Sequence, residues 1–348
     1  IAAINIESTY HDLRQAQNPD QAIDYEPFEG ICLTDTFQMY EKEDLIDQLL
    51  VDNSARRKRQ KALDIRVIMG NPPYSAGQKS ENDNNQNVDY PFLDKRIAET
   101  YAVKSNATLQ KNLYDSYIRA LRWASDRIGN SGIIGFVSNA SFIDANAMDG
   151  LRLCLAEEFS NIYIFHLRGN QRTSGELSRK EGGKIFGSGS RAPIAISLLV
   201  KNPQAKSHGN IYFHDIGDYL SQQEKLDKIA QFQSIAGITH AQGWQALTPD
   251  KYGDWINQRD DSFGEHISLG DKKNQNSIIV FNNYSQGILT SRDAWCYNYS
   301  SVKLKESIKR LLSTYDKELN HYQTDKNRNI NNDPKKISGS GNLKAALV

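Results

Sequence analysis

Strand-like and helix-like segments alternate along the first half of the sequence, and this alternation constrains the fold more than any other feature. Apolar stretches typical of buried strands occur at 30–33, 65–69, 132–137 and 161–167. Helix-like segments occur at 1–17, 41–50, 92–104, 109–128 and 146–158. Strands that alternate with helices form mostly parallel sheets covered by helices on both faces. The sequence therefore predicts an α/β fold, with ligands bound at the carboxyl ends of the strands.

The pattern changes in the second half of the chain. A Gly- and Ser-rich stretch, 182–190, leads into the apolar segment 193–200, which predicts a hairpin with 161–167. Beyond about 233 the sequence becomes polar and aromatic. A length of 348 residues suggests two domains, or one large domain with appendages. We therefore predict a first domain at 1–232 and a mixed α/β region at 233–348.

Composition excludes several classes of protein. Because 42 Lys and Arg residues balance 42 Asp and Glu residues, no blanket of positive potential is expected, although a local basic groove stays possible. The longest largely apolar run, 192–200, is too short to cross a bilayer as a helix. The three cysteines and the pair His208 and His214 have no metal-ligand spacing. We expect a cytoplasmic protein without a metal, and an excised piece of a longer polypeptide because residue 1 is Ile.

The tetrapeptide Asn71-Pro72-Pro73-Tyr74 directly follows a predicted strand. Two consecutive prolines fix the backbone, so the Asn71 amide and the neighbouring carbonyls are aimed at one point with little reorganisation. Tyr74 offers a flat face on which a planar base stacks, an interaction worth about 1–3 kcal/mol in single-strand binding sites. The alternative is a turn that ends the strand and carries a surface tyrosine. Its position in an alternating fold favours the functional interpretation.

Five motifs occur in order along the chain. They are Leu33-Thr-Asp-Thr-Phe37, Asn71-Pro-Pro-Tyr-Ser-Ala-Gly77, Gly135-Phe-Val-Ser-Asn-Ala-Ser-Phe142, Lys184-Ile-Phe-Gly-Ser-Gly-Ser-Arg-Ala-Pro193 and Gly287-Ile-Leu-Thr-Ser-Arg-Asp-Ala-Trp295. With this ordered set the chain resembles the gamma class of S-adenosylmethionine-dependent methyltransferases that modify adenine N6 in DNA. More narrowly, it resembles the methyltransferase and early target-recognition region of type ISP restriction-modification enzymes. In those enzymes nuclease, helicase-like ATPase, methyltransferase and target-recognition parts share one polypeptide.

The resemblance implies a catalytic corner at 71–74. Asn71 and the carbonyl of Pro72 would accept hydrogen bonds from the amino group of the target adenine, with Pro73 completing the rigid corner. Tyr74 would stack on the extruded base, and Phe186 would close on it from another side. Such a target inside a duplex must first be flipped out, at a cost of a few kcal/mol. The implied fold is a Rossmann-like methyltransferase sheet that lacks its amino-terminal part.

The resemblance also implies half of a cofactor site. Asp35 resembles the carboxylate that binds the adenine amino group of S-adenosylmethionine, and Phe37 belongs to the same motif. The family's glycine-rich loop and its acidic ribose ligand have no counterpart upstream of Asp35, and Glu7 is expected to be a surface charge. The predicted partners are therefore double-stranded DNA and missing nuclease, ATPase and cofactor-loop segments. We expect weak or no binding of S-adenosylmethionine without the missing segment.

Basic residues near the proposed base pocket are the predicted DNA contacts, and the alternative for them is a flexible charged loop. They are Arg168, Arg172, Lys184 and Arg191, with Arg292 further on in the recognition region. A basic run at 56–61 is more typical of a solvated helix face. Besides adenine-N6 methylation, two alternatives stay open, namely a catalytically silent DNA-recognition fragment and methylation of an RNA or protein nitrogen. The recognised DNA sequence and the oligomeric state are not readable from the sequence.

Overall fold

A computed structural model places the chain in two compact units, 1–260 and 261–348. The described residues are 2–37, 51–73, 90–107, 109–187, 191–260, 262, 265–271, 274, 276–285, 287 and 293–324. The predicted helix at 41–50 lies outside them. No helix within these ranges combines the length and the apolar character needed to cross a membrane.

The first unit is built on a six-stranded sheet in the order β1-β2-β4-β3-β5-β6. The strands are β1 (Val67–Gly70), β2 (Gly132–Asn139), β3 (Asn161–Arg168), β4 (Ile194–Lys201), β5 (Asn210–Asp215) and β6 (Gln245–Leu247). Only β1–β2 and β3–β5 are parallel pairs. The antiparallel pairing of β3 with β4 confirms the predicted hairpin. The prediction of a mostly parallel sheet was wrong, because β4 inserts in the opposite direction between β2 and β3.

Helices cover both faces of this sheet. Those of the first unit are α1 (Ala2–Gln17), α2 (Val51–Ala62), α3 (Pro91–Ile97), α4 (Ser116–Arg127), α5 (Asp149–Glu158), α6 (Gly175–Glu181), α7 (Gln222–Phe232) and α8 (Ile235–His240). Alternate residues of β3 enter two clusters, since Ile162 and Ile164 join the larger core and Phe165 and Leu167 the smaller one. The two-sided coverage agrees with the predicted layered α/β architecture.

Two predicted strands differ from the structure in physically understandable ways. Residues 30–33 form no strand, because side chains satisfy their backbone groups. Asn53 accepts from the N–H of Leu33 at 2.7 Å and donates to its carbonyl at 2.9 Å. The strand predicted at 65–69 is present as β1, but it lies at the edge of the sheet. Its residues Val67 and Met69 are 63% and 78% exposed, so it is not the buried strand that its composition suggested.

The boundary between the units lies later than the predicted division after residue 232. Strand β6 pairs with β5, which extends the sheet beyond that point. Trp255 is buried in the larger core and meets Phe142 edge to face at 6.3 Å. Residues 233–260 therefore belong to the first unit. In the second unit the described elements are α9 (Asp293–Cys296), α10 (Ser301–Thr324) and an isolated parallel bridge between Ser268 and Ile279.

Candidate functional site

Chain direction brings three of the predicted motifs to one edge of the sheet. Gly70, the last residue of β1, pairs with Phe136 of the parallel strand β2, so Asn71 lies level with the last residues of β2, which ends at Asn139. Strand β4 runs the other way and begins with Ile194 opposite Asn139. Consequently the residues that precede β4 share this edge with the residues that follow β1 and β2. We call it the site edge.

The proline corner directly follows β1 at the site edge. Asn71 and Pro73 are exposed, while Pro72 between them is buried. A buried proline anchors the turn, and the exposed amide of Asn71 is then held on a backbone with little freedom. Tyr74 lies outside the described residues, so its proposed stacking role stays a prediction.

The turn after β2 ties the site edge together. The side chain of Asn139 accepts hydrogen bonds from the N–H and the hydroxyl of Ser141, at 2.9 and 2.8 Å. The next N–H, that of Ala140, donates to the carbonyl of Pro193 at 2.9 Å. Asn139 therefore caps its own short helix, and the turn fixes the chain just before β4.

Phe186 lies in the segment that leads into β4. It is half-buried and packs against the smaller core cluster, together with Ile185 and Val137 of β2. Lys184, two residues earlier, is half-buried as well. The role of Phe186 as the second base contact stays a prediction.

Arg168 is engaged within the protein. Its backbone has a positive φ of 56°, and its guanidinium lies 2.8 Å from Asp215 and also pairs with Asp218. Burial alone would raise the pKa of Asp215, but hydrogen bonds from His166 and Arg168 and from the N–H of Gly217 lower it to about 2. Two carboxylates thus compensate the charge of Arg168.

The other predicted DNA contacts differ in accessibility. Arg172 and Arg191 are exposed, and Arg191 donates to the carbonyl of Gln171 at 3.2 Å. Arg292 lies outside the described residues. Arg172 and Arg191 are therefore accessible and their DNA contacts stay a prediction, whereas Arg168 is an internal ion-pair partner.

Asp35 lies in an aromatic corner that the sequence did not reveal. One carboxylate oxygen accepts from the N–H of Phe37 at 3.1 Å, and the other accepts from the hydroxyl of Tyr90 at 2.7 Å. The rings of Phe37 and Tyr90 meet edge to face at 5.2 Å, and the guanidinium of Arg119 lies 5.4 Å from the Tyr90 ring. Burial, and then the bond to Asp35, raise the pKa of Tyr90 far above its usual value, so the hydroxyl remains a donor.

The carboxylate in this corner has the acceptor chemistry that an adenine amino group requires. Each oxygen of Asp35 has a second lone pair that can accept from an exocyclic amine. Phe37 is half-buried beside Asp35, whereas Tyr90 is buried in the larger core and fixes the carboxylate from inside. The two oxygens of Glu7 accept from the hydroxyl of Tyr25 and the N–H of Phe28. Glu7 is therefore part of the fold and not the free surface charge that was predicted.

The basic run on α2 is used largely within the structure. Arg56 donates to the carbonyl of Ile31 at 3.2 Å, and Arg59 pairs with Glu29 at 2.5 Å. Arg57 is 4% exposed. The run therefore attaches α2 to the segment before Asp35. In the described part of the chain, no group of three potential ligands converges as a metal site requires.

Sequence reasoning missed Tyr90, Gln222 and Lys225, all of which hold segments that carry predicted site residues. Tyr90 bonds across 55 positions to Asp35, and no local pattern announces such a pair. Lys225 lies on α7 and is fully buried, although lysine side chains are mostly exposed in proteins. Gln222 is an exposed residue in the first turn of the same helix.

Comparison with known proteins identifies similar structures for nearly the whole chain. The ATP-dependent Type ISP restriction-modification enzyme LlaBIII bound to DNA is 44% identical over 92% of this chain, with a TM-score of 0.81. A nuclease-deletion mutant of the Type ISP enzyme LlaGI, in complex with a DNA substrate mimic, is 46% identical over 95%, with a TM-score of 0.80. The protein in the DrdV–DNA complex is 33% identical over 100%, with a TM-score of 0.77.

This chain spans 20%, 25% and 33% of the lengths of those three chains. A comparison with curated proteins finds no match. Residues 279–348 match the family model of the Type ISP C-terminal specificity domain. The chain is thus similar, over nearly its whole length, to a region of the Type ISP restriction-modification enzymes that includes the C-terminal specificity domain.

Proposed function

We propose that this chain carries the methyl-transfer and early target-recognition regions of a Type ISP restriction-modification enzyme. It would transfer a methyl group from S-adenosylmethionine to adenine N6 within a specific DNA sequence. The exposed amide of Asn71 on a proline corner at the site edge is the observation that carries this proposal. The solved Type ISP structures that the chain resembles contain DNA or a DNA mimic, which supports DNA as the substrate.

The corner acts by positioning and by electrostatics. The side-chain oxygen of Asn71 and the carbonyl of Pro72 accept the two N–H groups of the target amine, so its lone pair points away from both acceptors. Because the prolines fix the backbone, the acceptors need little reorganisation as positive charge develops on the amine. Phe186 and Tyr74 would hold the plane of the base once it has left the duplex.

The cofactor would be held partly by the aromatic corner around Asp35. S-Adenosylmethionine supplies an electrophilic methyl group on sulfur. Asp35 would accept from its adenine amino group, with Tyr90 and the N–H of Phe37 fixing the carboxylate. Contacts with the ribose and the methionine part of the cofactor would come from residues outside this corner. We therefore expect isothermal titration to detect no micromolar binding to residues 1–348, and micromolar binding by this chain would contradict the half-site.

Methylation in a host that lacks N6-methyladenine tests the reaction. The complete polypeptide that contains this chain is expressed, and modified adenines are mapped by sequencing the host DNA. Asn71→Ala is expected to reduce the methylation rate about a hundredfold or more, as removal of one preorganised polar group does elsewhere. Asn202→Ala is the matched control, since Asn202 is exposed and follows the other end of β4.

Equal methylation by wild type and Asn71→Ala would remove Asn71 from the mechanism. Sequence-specific DNA binding by the complete polypeptide without any methylation would favour the silent recognition fragment. Methylation of RNA or protein, but not of DNA, would favour the alternative that the chain modifies an RNA or protein nitrogen.

A further inference from the structure

A buried lysine holds the backbone of the segment that leads to Phe186. Lys225 on α7 is 0% exposed, and its ammonium donates to the carbonyl oxygens of Glu181 and Gly183, at 2.7 Å each. Burial lowers the pKa of Lys225 to about 8. A buried ammonium without partners is costly, so these two bonds fix the lysine and the segment to each other.

Two further hydrogen bonds join the same segment to the start of α7. Gln222 donates through Nε2 to the carbonyl of Ile185 at 2.7 Å, next to Phe186. The carbonyl of Leu220 accepts from the N–H of Gly183 at 2.8 Å. We call Leu220, Gln222 and Lys225 the α7 clamp.

At two positions, Gly182 and Gly183, the clamped segment lies so close to the start of α7 that there is no room for a side chain. A Cβ on Gly182 would lie 2.1 Å from the carbonyl oxygen of Leu220, and Gly182 has a φ of +66°. A Cβ on Gly183 would lie 2.3 Å from the backbone nitrogen of Gln222. Both distances are far below van der Waals contact, so these glycines permit the clamp to close on the backbone.

The clamp acts on the part of the chain that leads to the site edge. Phe186 and Val137 of β2 both pack against the smaller core cluster, whose member Ile194 begins β4. The chain re-enters the sheet at Pro193, whose carbonyl accepts from Ala140. The segment is thus fastened to α7 before Phe186 and to the turn after β2 beyond it.

We infer that the α7 clamp sets the position of Phe186 relative to Asn71, and that Lys225 and Gln222 are positioning residues for the flipped target base. This inference rests on the proposed function. Neither residue contacts the base. Each holds a carbonyl within five residues of Phe186, and together they restrict where its ring can lie.

The test uses the complete polypeptide and the DNA sequence that methylation mapping identifies. The variants are Gln222→Ala and Lys225→Met. Their controls lie on the same helix. Gln223→Ala removes an amide that bonds only to Asp227 in the described structure, and Lys228→Met removes an ammonium that donates to the Ile216 carbonyl at 3.0 Å. The readouts are kcat, KM for S-adenosylmethionine, and the fluorescence of 2-aminopurine placed at the target adenine.

We expect kcat to fall about fivefold in Gln222→Ala and at least about tenfold in Lys225→Met, with a weaker 2-aminopurine signal and an unchanged KM for S-adenosylmethionine. Because Gln222 is exposed, its variant answers the question even where Lys225→Met folds poorly. If Gln222→Ala matches Gln223→Ala in kcat and in fluorescence, the clamp does not position the base. That result leaves the proposed function intact, whereas absence of methylation by the wild-type polypeptide refutes both.

Discussion

Replacing Arg152 with methionine is expected to remove a large part of the stability of the first unit. The side chain is fully buried and donates to three carbonyl oxygens, those of Gly253 at 2.9 Å, Phe142 at 3.2 Å and Ala145 at 2.9 Å. It also pairs with Asp254, which is 4% exposed. These bonds join α5 to the turn that follows β2 and to the end of the first unit.

The cost of Arg152→Met follows from these partners. Removing one member of a buried ion pair costs about 3–5 kcal/mol. Because Asp254 also lies 2.7 Å from Nε of Arg259, the lower figure applies. Three carbonyls left without this donor add about 1 kcal/mol each. The sum, about 6 kcal/mol, compares with a total stability of about 5–15 kcal/mol for a typical domain.

Urea unfolding of the 348-residue chain, followed by tryptophan fluorescence, measures this loss. Trp255 is buried beside Phe142, so its emission reports the affected region. The control is Arg179→Met, which breaks the exposed pair of Arg179 with Glu176 at 3.2 Å and should cost less than about 1 kcal/mol. A loss below about 2 kcal/mol for Arg152→Met would show that the network is not the support that its burial implies.

Three further predictions concern single side chains. The pKa of Asp215 is about 2 in the folded protein against 3.8 ordinarily, so its stabilising contribution is complete above about pH 4 and is lost as pH falls towards 2. Asp215→Asn should therefore flatten the pH dependence of the unfolding free energy in that window, and an unchanged slope would contradict it. Tyr90→Phe removes the donor to Asp35 and should weaken S-adenosylmethionine binding by the complete polypeptide about fivefold in isothermal titration, while equal affinity would separate Asp35 from the cofactor. Asn139→Ala removes the cap on Ser141 and should lower the unfolding free energy by about 1 kcal/mol in urea, with no change expected only if the cap is dispensable.

Periodicity along the sequence located most elements of the first unit up to β4. It predicted none of β5, β6, α7 and α8, and it did not give the direction of the strands. An apolar strand has the same sequence pattern whether its neighbour is parallel or antiparallel. The expected hairpin predicted that β4 runs antiparallel to β3, but nothing in the sequence indicated that β4 also pairs with β2. The stretch at 30–33 is a short apolar run, as a true strand is, and was therefore predicted to be a strand. Its backbone partners are side chains of α2, which periodicity does not describe.

The candidate site divides in the same way. The Asn71 corner was predictable because proline acts locally on its own backbone and that of the preceding residue. The surroundings of Asp35 depend on Tyr90, and the position of Phe186 depends on Lys225, 39 positions further along the chain. Such partners become neighbours only through the fold, and nothing in a solvated-looking lysine or an isolated tyrosine signals them beforehand.

The edge position of β1 gives this strand a measurable sensitivity to its surroundings. It is joined to the sheet by four register pairs with β2, and among the described residues no strand pairs with its other side. Its outward amides therefore exchange their protons with solvent through small local openings. Deuterium uptake at 67–70 will slow when another polypeptide segment or a nucleic acid covers that margin. Deuterium uptake of this one peptide, measured by mass spectrometry, thus reports on the local stability of the strand that precedes Asn71.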